Sequence, residues 1–310
     1  MTQDEHDPKA HMGLPLPHGK LAIWLFLVTE IMFFTAMIGT YAILRQGTPT
    51  AASGYRWPTP HEVHLIEWVG ALNTFVLIAS SLTVVLAHHA ATKGHFGRAT
   101  VFVGITLALG TVFLVIKAFE YNAKFEHDIL PGHIGEMTSA KGGETPDNVN
   151  RRNKEMHAVG MQYVTRVREQ LQAIAKGGHS EEVKKECAAL QDAMDGEQIK
   201  DDNGIVKSYR APLTPAQVGD RVNEILEKHE GVHLSPAIPF GNLWASCYFA
   251  MTGFHALHVF GGLVVFVIIL GMGLRNKLGP RHTGMLELTG LYWHFVDIVW
   301  IFLFPLLYLV

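Results

Sequence analysis

One carboxyl side chain lies inside an apolar run of this 310-residue chain that is long enough to cross a membrane. Glu30 sits about a third of the way along Leu21–Leu44, between aromatic and aliphatic neighbours. A carboxyl at membrane depth is energetically unfavourable and is a functional-site candidate by default. We consider a neutral acid bonded to a neighbouring helix, a proton-handling or lipid-contacting group, and an ion ligand.

Two histidines, His255 and His258, are three residues apart in another apolar run. This spacing puts both imidazoles on one face of a helix, where they are able to ligate a metal ion. No cysteine or carboxylate in the same run completes a ligand set. Structural hydrogen bonding or contact with lipid headgroups is therefore the preferred interpretation, and no metal site is predicted.

Two further pairs with a spacing of three residues are Lys117 with Glu120 and His294 with Asp297. The first predicts an ion pair that lowers the cost of burial, with a lysine long enough to reach the interface. The second is compatible with a hydrogen-bonded pair on one helix face, although a polar contact in helix packing is the favoured interpretation.

The adjacent residues His88 and His89 close a third apolar run. Neighbouring residues point in different directions on a helix, so this pair does not predict a chelate. A partly hydrated position at the membrane interface is expected for both imidazoles.

Five apolar runs must position these groups, and each is about as long as a bilayer is thick. Each must be helical, because unpaired backbone groups are not tolerated in lipid. The sequence therefore predicts an all-α integral membrane protein with five transmembrane helices. The predicted spans are Leu21–Leu44, Trp68–Ala87, Ala99–Tyr121, Leu243–Leu274 and Leu288–Val310.

Small residues recur within these runs, which is typical of close helix packing, although membrane helices also tolerate glycine without such a role. They are Gly39, Gly104, Gly110, Gly253, Gly261 and Gly262.

Most of the acidic residues and more than half of the basic residues fall between Glu126 and Glu230. The whole chain is 48% hydrophobic with a net charge of −3, so a basic nucleic-acid-binding surface is not expected. Cys187 lies in the polar block and Cys247 in an apolar run, so a disulfide between them is not predicted.

The polar block divides the chain into four predicted regions: an N-terminal tail (1–20), three spans (21–125), an insert (126–239) and two spans (240–310). Within the insert, a glycine-rich linker is expected over Pro131–Pro146. Apolar residues at helical spacing predict helices over Asn153–Lys176 and Glu181–Met194. A third helix is predicted over Pro215–His229, with Thr214 as its N-cap.

Basic residues in the short turns predict the orientation. The turns 88–98 and 275–287 are the basic ones, so both should face the cytoplasm. The N-terminal tail is then cytoplasmic, whereas the insert and the C-terminus lie on the other side. The basic residues are Lys93, Arg98, Arg275, Lys277 and Arg281, against Arg56 and the flanking Arg45 in the turn 46–64.

Several separated motifs resemble subunit III of cytochrome c oxidase and its haem-copper oxidase relatives, and they follow one another in the family's order. They are Thr29-Glu30 with Phe33-Phe34, Leu72-Asn73-Thr74 with His88-His89, Lys117-Ala-Phe-Glu120-Tyr121, Gly253-Phe-His255-Ala-Leu-His258-Val, and Tyr292-Trp293-His294-Phe295-Val296-Asp297. The N-terminal tail and the insert lie outside this resemblance.

The resemblance implies a non-catalytic, haem-free subunit that packs on subunit I beside subunit II and supports proton uptake and turnover stability. It implies bound phospholipid, with haem and copper held by partner subunits, in a bacterial inner membrane. The isolated chain is then expected to have no activity, although the complex reduces oxygen to water. Glu30, His258 and His294 match family positions, Glu287 falls on a family acidic position, and Asn73 lies in a matched motif as a structural contact.

This chain differs from the family pattern in two respects. In the longer family members, two additional helices precede the helix that corresponds to the first span of this chain. Members of the family also usually have a short turn where this chain has the insert. The insert is expected to contact a neighbouring subunit or a cytochrome c domain.

Two other functions stay open. The first is the homologous subunit of a quinol oxidase or nitric-oxide reductase. The second is a proton-coupled transporter using Glu30 and Asp297, which would need an interrupted helix or an internal repeat. The sequence shows neither.

Overall fold

The computed structural model describes residues 18–48, 57–135, 146–200, 206–210, 212–229 and 231–309. Five of its helices are long and apolar enough to cross a membrane, which confirms the predicted all-α membrane fold. These helices are α1 (His18–Gln46), α2 (Glu67–Thr92), α3 (Phe96–Glu126), α7 (Gly241–Leu274) and α8 (Thr283–Phe304).

The last span begins earlier than predicted. A 3₁₀ turn (Pro280–His282) leads directly into α8, and a π-helical turn (Pro305–Leu309) ends the chain's described part. Glu287, expected just before the span, therefore lies within α8. The tail before residue 18 and the linker residues 136–145 are outside the described residues.

The helices pack with α8 near the centre and α1 at the edge. α8 contacts α1, α2 and α7, whereas α3 packs between α2 and α7. In the most apolar stretch of each span, 44% of residues are buried in the last span but only 6% in α1. Most of the α1 surface is therefore available to lipid or to another subunit.

Two glycines create the space that seats Trp293 of α8. A Cβ atom at Gly110 would lie 2.9 Å from the indole, and one at Gly262 would lie 2.7 Å from it. Both distances are too short for real carbon atoms, so α3 and α7 approach the ring only because these positions lack a side chain. The indole nitrogen donates to Ser80 Oγ at 2.9 Å, which fixes the ring against α2.

The insert between α3 and α7 contains the three predicted helices and a small sheet. The helices are α4 (Pro146–Lys176), α5 (Glu181–Asp195) and α6 (Pro215–Lys228), and the antiparallel pair is β1 (Glu197–Lys200) with β2 (Val206–Arg210). Thr214 caps α6 as predicted, in a reciprocal capping box with Gln217. The strands were not predicted.

The insert has its own apolar core, made by one face of each helix. Most of the apolar α4 residues at helical spacing are buried in it, whereas Met161 is 46% exposed. The buried α4 residues are Val164, Val167, Leu171 and Ile174, and they face Val183, Cys187 and Leu190 of α5 and Val218, Val222 and Ile225 of α6.

One carboxylate joins the insert to the helix bundle. Asp128, just after α3, takes the left-handed conformation with φ +50°. Its oxygens accept from Gln170 Nε2 at 3.2 Å and from the Ser235 hydroxyl, and they lie 2.5 Å from His133 Nδ1. Because these partners come from α4 and from both loops that lead to the bundle, Asp128 ties α4 to the two segments through which the insert joins the membrane helices.

Candidate functional site

Glu30 of α1 and His258 of α7 meet at membrane depth. Glu30 Oε2 lies 2.9 Å from His258 Nε2. The other ring nitrogen, Nδ1, lies 2.7 Å from the Phe254 carbonyl oxygen, which is only able to accept. Nδ1 therefore carries a hydrogen, and the tautomer follows from the partner.

This arrangement lets the Glu30–His258 pair hold one proton between Nε2 and Oε2. The proton resides either on the acid, facing a neutral imidazole, or on the imidazole, facing a carboxylate. Both arrangements leave the pair with no net charge, which is the state that a low-dielectric surrounding favours.

A groove of about 590 Å³ opens beside this pair. Its walls come from α1, α7 and α8 and are mainly aromatic, and several of them are exposed on the outer surface of the bundle. The Tyr292 hydroxyl donates to the His258 carbonyl at 2.8 Å and closes one side. The lining residues are Phe26, Thr29, Phe33, Phe254, Leu257 and Tyr292, together with the pair itself.

The structure directs His255 away from His258, although the two were expected to share a face. His255 is 1% exposed and stacks on Trp300 at a centroid distance of 5.1 Å, with the Phe113 edge 5.6 Å away. Neither of its ring nitrogens has a hydrogen-bond partner among the described residues. His255 therefore points into the core, and His258 points to α1.

His294 and Asp297 do not form the hydrogen bond that was one of the two interpretations of their spacing. His294 Nδ1 lies 2.5 Å from Ser81 Oγ on α2, so that histidine joins two helices. Neither Asp297 oxygen has a hydrogen-bond partner among the described residues. Asp297 is 4% exposed and faces the interior of the bundle.

Lys117 and Glu120 form the predicted ion pair, with Nζ 2.9 Å from Oε1. The lysine does not reach the interface, because it is only 3% exposed, and that expectation is wrong. Its ammonium donates to the Tyr308 and Tyr248 hydroxyls at 3.0 and 3.2 Å, and both hydroxyls donate to Glu120. Four rings enclose the ammonium at 5.1–5.7 Å, those of Tyr121, Tyr248, Trp300 and Tyr308.

The remaining predicted residues occupy separate positions. Asn73 is buried and its amide nitrogen lies 3.5 Å from the Phe113 carbonyl, a long contact. His88 is half-buried and His89 exposed near the end of α2, and their place at the membrane interface stays a prediction. Glu287 pairs with Lys20 of α1 at 2.6 Å, so it ties the edge helix to α8.

A second buried lysine was missed. Lys124 has no exposed surface and donates to the Val63 carbonyl of the loop before α2. Its ammonium lies within 6 Å of the Trp244 and Tyr248 rings. The sequence did carry a signal, because Lys124 follows Lys117 by two helical turns and so lies on the same face of α3.

Among the described residues, no group of three or more His, Cys, Asp or Glu side chains is arranged to hold a metal ion. The absence of haem and copper from this chain therefore stays a prediction. Glu30 and Asp297 both lie in helices that run without interruption, so the structure adds no support for the transporter hypothesis.

Comparison with known proteins gives one consistent family. The sequence profile of the family described as Cytochrome c oxidase subunit III matches residues 2–131 and 229–310, well over half of the chain. Residues 132–228, most of the insert, lie outside that match.

Individual relatives carry the same description. Cytochrome c oxidase subunit 3 of Thermostichus vulcanus is 38% identical over 118 residues, which are 36% of this chain and 53% of that protein. The proteins of the same name from Tragelaphus oryx and Pelea capreolus are each 23% identical over 309 residues, 99% of this chain and 73% of theirs. The chain thus matches about half the length of the Thermostichus protein.

Proposed function

We propose a function from one premise: this chain belongs to the cytochrome c oxidase subunit III family. It acts as the non-catalytic, haem-free subunit of a proton-pumping terminal oxidase. It packs on subunit I beside subunit II, binds phospholipid, and supports proton uptake and the stability of the complex during turnover.

The Glu30–His258 pair carries this proposal. It holds one proton at membrane depth beside an open groove, and it stays neutral in either arrangement of that proton. The aromatic walls of the groove suit an acyl chain, whereas the pair supplies a polar contact at its base. The lipid in the groove and the proton on the pair then belong to a single site at the edge of the bundle.

The exposed surface of α1 supports packing against another membrane subunit. Its outer face carries large apolar side chains, and van der Waals packing rather than water exclusion supplies adhesion between membrane helices. The exposed residues are Leu21, Trp24, Leu25, Val28, Ile31, Met32 and Ile43.

The proposed orientation puts the N-terminus in the cytoplasm of a bacterial cell and the insert on the opposite side of the inner membrane. The insert then lies on the side where electron donors dock, and we propose that it contacts a neighbouring subunit or a cytochrome c domain. Replacing residues 146–228 by a short flexible linker should impair assembly or slow electron entry. Unchanged assembly and donor kinetics would contradict this.

The test of the proposed function is the Glu30→Gln variant in the purified oxidase. Glutamine keeps the size and the contact with His258 but is unable to take up or release a proton. We expect a near-normal initial rate of oxygen reduction and fewer turnovers before inactivation. Glu67→Gln, at the exposed start of α2, is the matched control.

Two results would contradict the proposal. If the Glu30→Gln and Glu67→Gln enzymes complete the same number of turnovers before inactivation, the chain would be a scaffold with no part in proton movement. Purification of the chain in mild detergent without any haem-bearing subunit would remove the oxidase assignment itself.

A further inference from the structure

Three polar side chains in the core of the helix bundle have polar atoms without a hydrogen bond. They are Asn73 of α2, His255 of α7 and Asp297 of α8, which are 1%, 1% and 4% exposed. Among the described residues, no partner bonds Asn73 Oδ1, either ring nitrogen of His255 or either carboxyl oxygen of Asp297. Unbonded buried polar atoms are costly, and in proteins such atoms nearly always bond to protein or to ordered water.

Two of these side chains, Asn73 and His255, flank the same pair of aromatic rings. His255 stacks on Trp300 at a centroid distance of 5.1 Å, and the Phe113 ring lies 5.0 Å from Trp300. The Asn73 amide nitrogen lies 3.5 Å from the Phe113 carbonyl. Trp300 Nε1 donates at 2.9 Å to Thr74, the residue after Asn73. Asn73 and His255 therefore lie at one level of the bundle.

Asp297 lies one helical turn from this level, on the same face of α8. Residues three apart share a helix face, and Asp297 precedes Trp300 by a rise of about 4.5 Å. In the other direction, four residues away, Trp293 is fully buried and bonds Ser80 of α2. Asp297 is therefore held between two indoles that are both anchored to α2, and its carboxyl faces the core that also contains His255.

The chemistry of the unbonded atoms selects an occupant that both donates and accepts. Asn73 Oδ1 accepts, a neutral imidazole has one donor and one acceptor nitrogen, and a carboxyl oxygen accepts or, when protonated, donates. In the part of the chain that the structure describes, no three His, Cys, Asp or Glu side chains are arranged for a metal. Water does both and forms about three hydrogen bonds when it is buried.

We propose that ordered water binds in the core of the bundle at Asn73, His255 and Asp297. This water connects α2, α7 and α8 through hydrogen bonds that the side chains do not make with one another. His255 points into the core, whereas His258 points to Glu30 of α1. The water site is therefore separate from the open groove and does not depend on the function proposed for the Glu30–His258 pair.

The test is pulsed X-ray radiolysis of the purified protein with its co-purifying subunits in detergent. X-rays convert a bound water into a hydroxyl radical where it lies, the radical oxidises the adjacent side chain, and peptide mass spectrometry measures the oxidised fraction. Phe113 is the reporter, because its ring edge lies 5.6 Å from His255. Phe266 is the matched control, because both phenylalanines have no exposed surface and Phe266 lies about three helical turns beyond His255 on α7.

Phe113 should be oxidised several-fold faster than Phe266. A radical scavenger in the bulk solution should not change this ratio, because the radicals form inside the protein. Two variants assign the site. His255→Phe keeps a ring of similar size against Trp300 but has no polar atom, so Phe113 oxidation should fall towards that of Phe266. Asp297→Asn keeps groups that bond water and should retain most of the oxidation at Phe113.

Equal oxidation of Phe113 and Phe266 in the unmodified protein would overturn the proposal. This comparison needs no variant, so it decides even where His255→Phe fails to fold. Loss of the Phe113 signal with the scavenger would show that water enters from the bulk, and it would overturn a fixed site. Unchanged oxidation of Phe113 in a folded His255→Phe protein would overturn the assignment of the water to these residues.

Discussion

Glu30–His258 and Lys117–Glu120 are both acid–base pairs within transmembrane helices, and their surroundings differ. The first pair has one contact between its partners and lies beside an open groove, with the His258 and Glu30 side chains 14% and 21% exposed. The second is enclosed by aromatic rings, and two tyrosine hydroxyls satisfy both ions.

This difference is the reason for proposing a structural role for the enclosed pair and a functional role for the open one. A buried ion pair whose every polar atom is bonded holds three helices in register. Glu120 lines a small groove between α2 and α3, but both of its carboxylate oxygens are already bonded, so it has no free acceptor for a proton. A pair with one shared proton and an open side is able to exchange it. The depth of a group in the membrane therefore does not identify a functional site by itself. The role of the group also depends on whether its polar atoms are already hydrogen-bonded and whether protons or ligands have access to it.

The largest expected effect concerns the enclosed pair. Lys117→Met leaves the Glu120 carboxylate buried without its cation, and breaking such a pair costs about 3–5 kcal/mol of stability. Thermal unfolding of the complex in detergent should show the loss. The double change Lys117→Met with Glu120→Gln should recover most of it, and a cycle without such recovery would contradict the pairing.

A smaller effect is expected for Tyr308→Phe. The change removes one hydroxyl that bonds Glu120 and Lys117, and hydrogen bonds to charged groups contribute about 1.5–3 kcal/mol. Tyr292→Phe is the control, because that hydroxyl bonds only to a carbonyl beside the open groove. Equal losses for the two variants would remove the distinction between the enclosed and the open region.

The smallest loss of stability is expected for Glu30→Gln. Glutamine keeps a hydrogen bond to His258 and the site is partly exposed, so the free energy of unfolding should fall by about 1 kcal/mol or less. The same thermal measurement applies. A loss as large as that of Lys117→Met would indicate that the pair is structural.

The sequence predicted the five transmembrane helices well, because the length of an apolar run determines whether the segment crosses a membrane. It also predicted α5, α6 and the Thr214 cap, where local spacing and capping chemistry decide the structure. The short hairpin of β1 and β2 was missed, since four- and five-residue strands within a polar block have little pattern.

Pairings between helices followed a different rule. Spacing correctly paired Lys117 with Glu120, which share one helix, but it gave no partner on another helix for His294 or His258. Their partners, Ser81 and Glu30, lie far away in the sequence and are brought close only by helix packing. Local periodicity identifies a helix face but not the helix that lies opposite it.

The most direct test of the open and enclosed regions is the reactivity of their two carboxyls towards a lipid-soluble carbodiimide in the intact complex. Peptide mass spectrometry then measures the modified fraction at Glu30 and at Glu120. We expect modification at Glu30, slowed by lipid that occupies its groove, and almost none at Glu120. Rapid modification of Glu120 with an unreactive Glu30 would contradict the account.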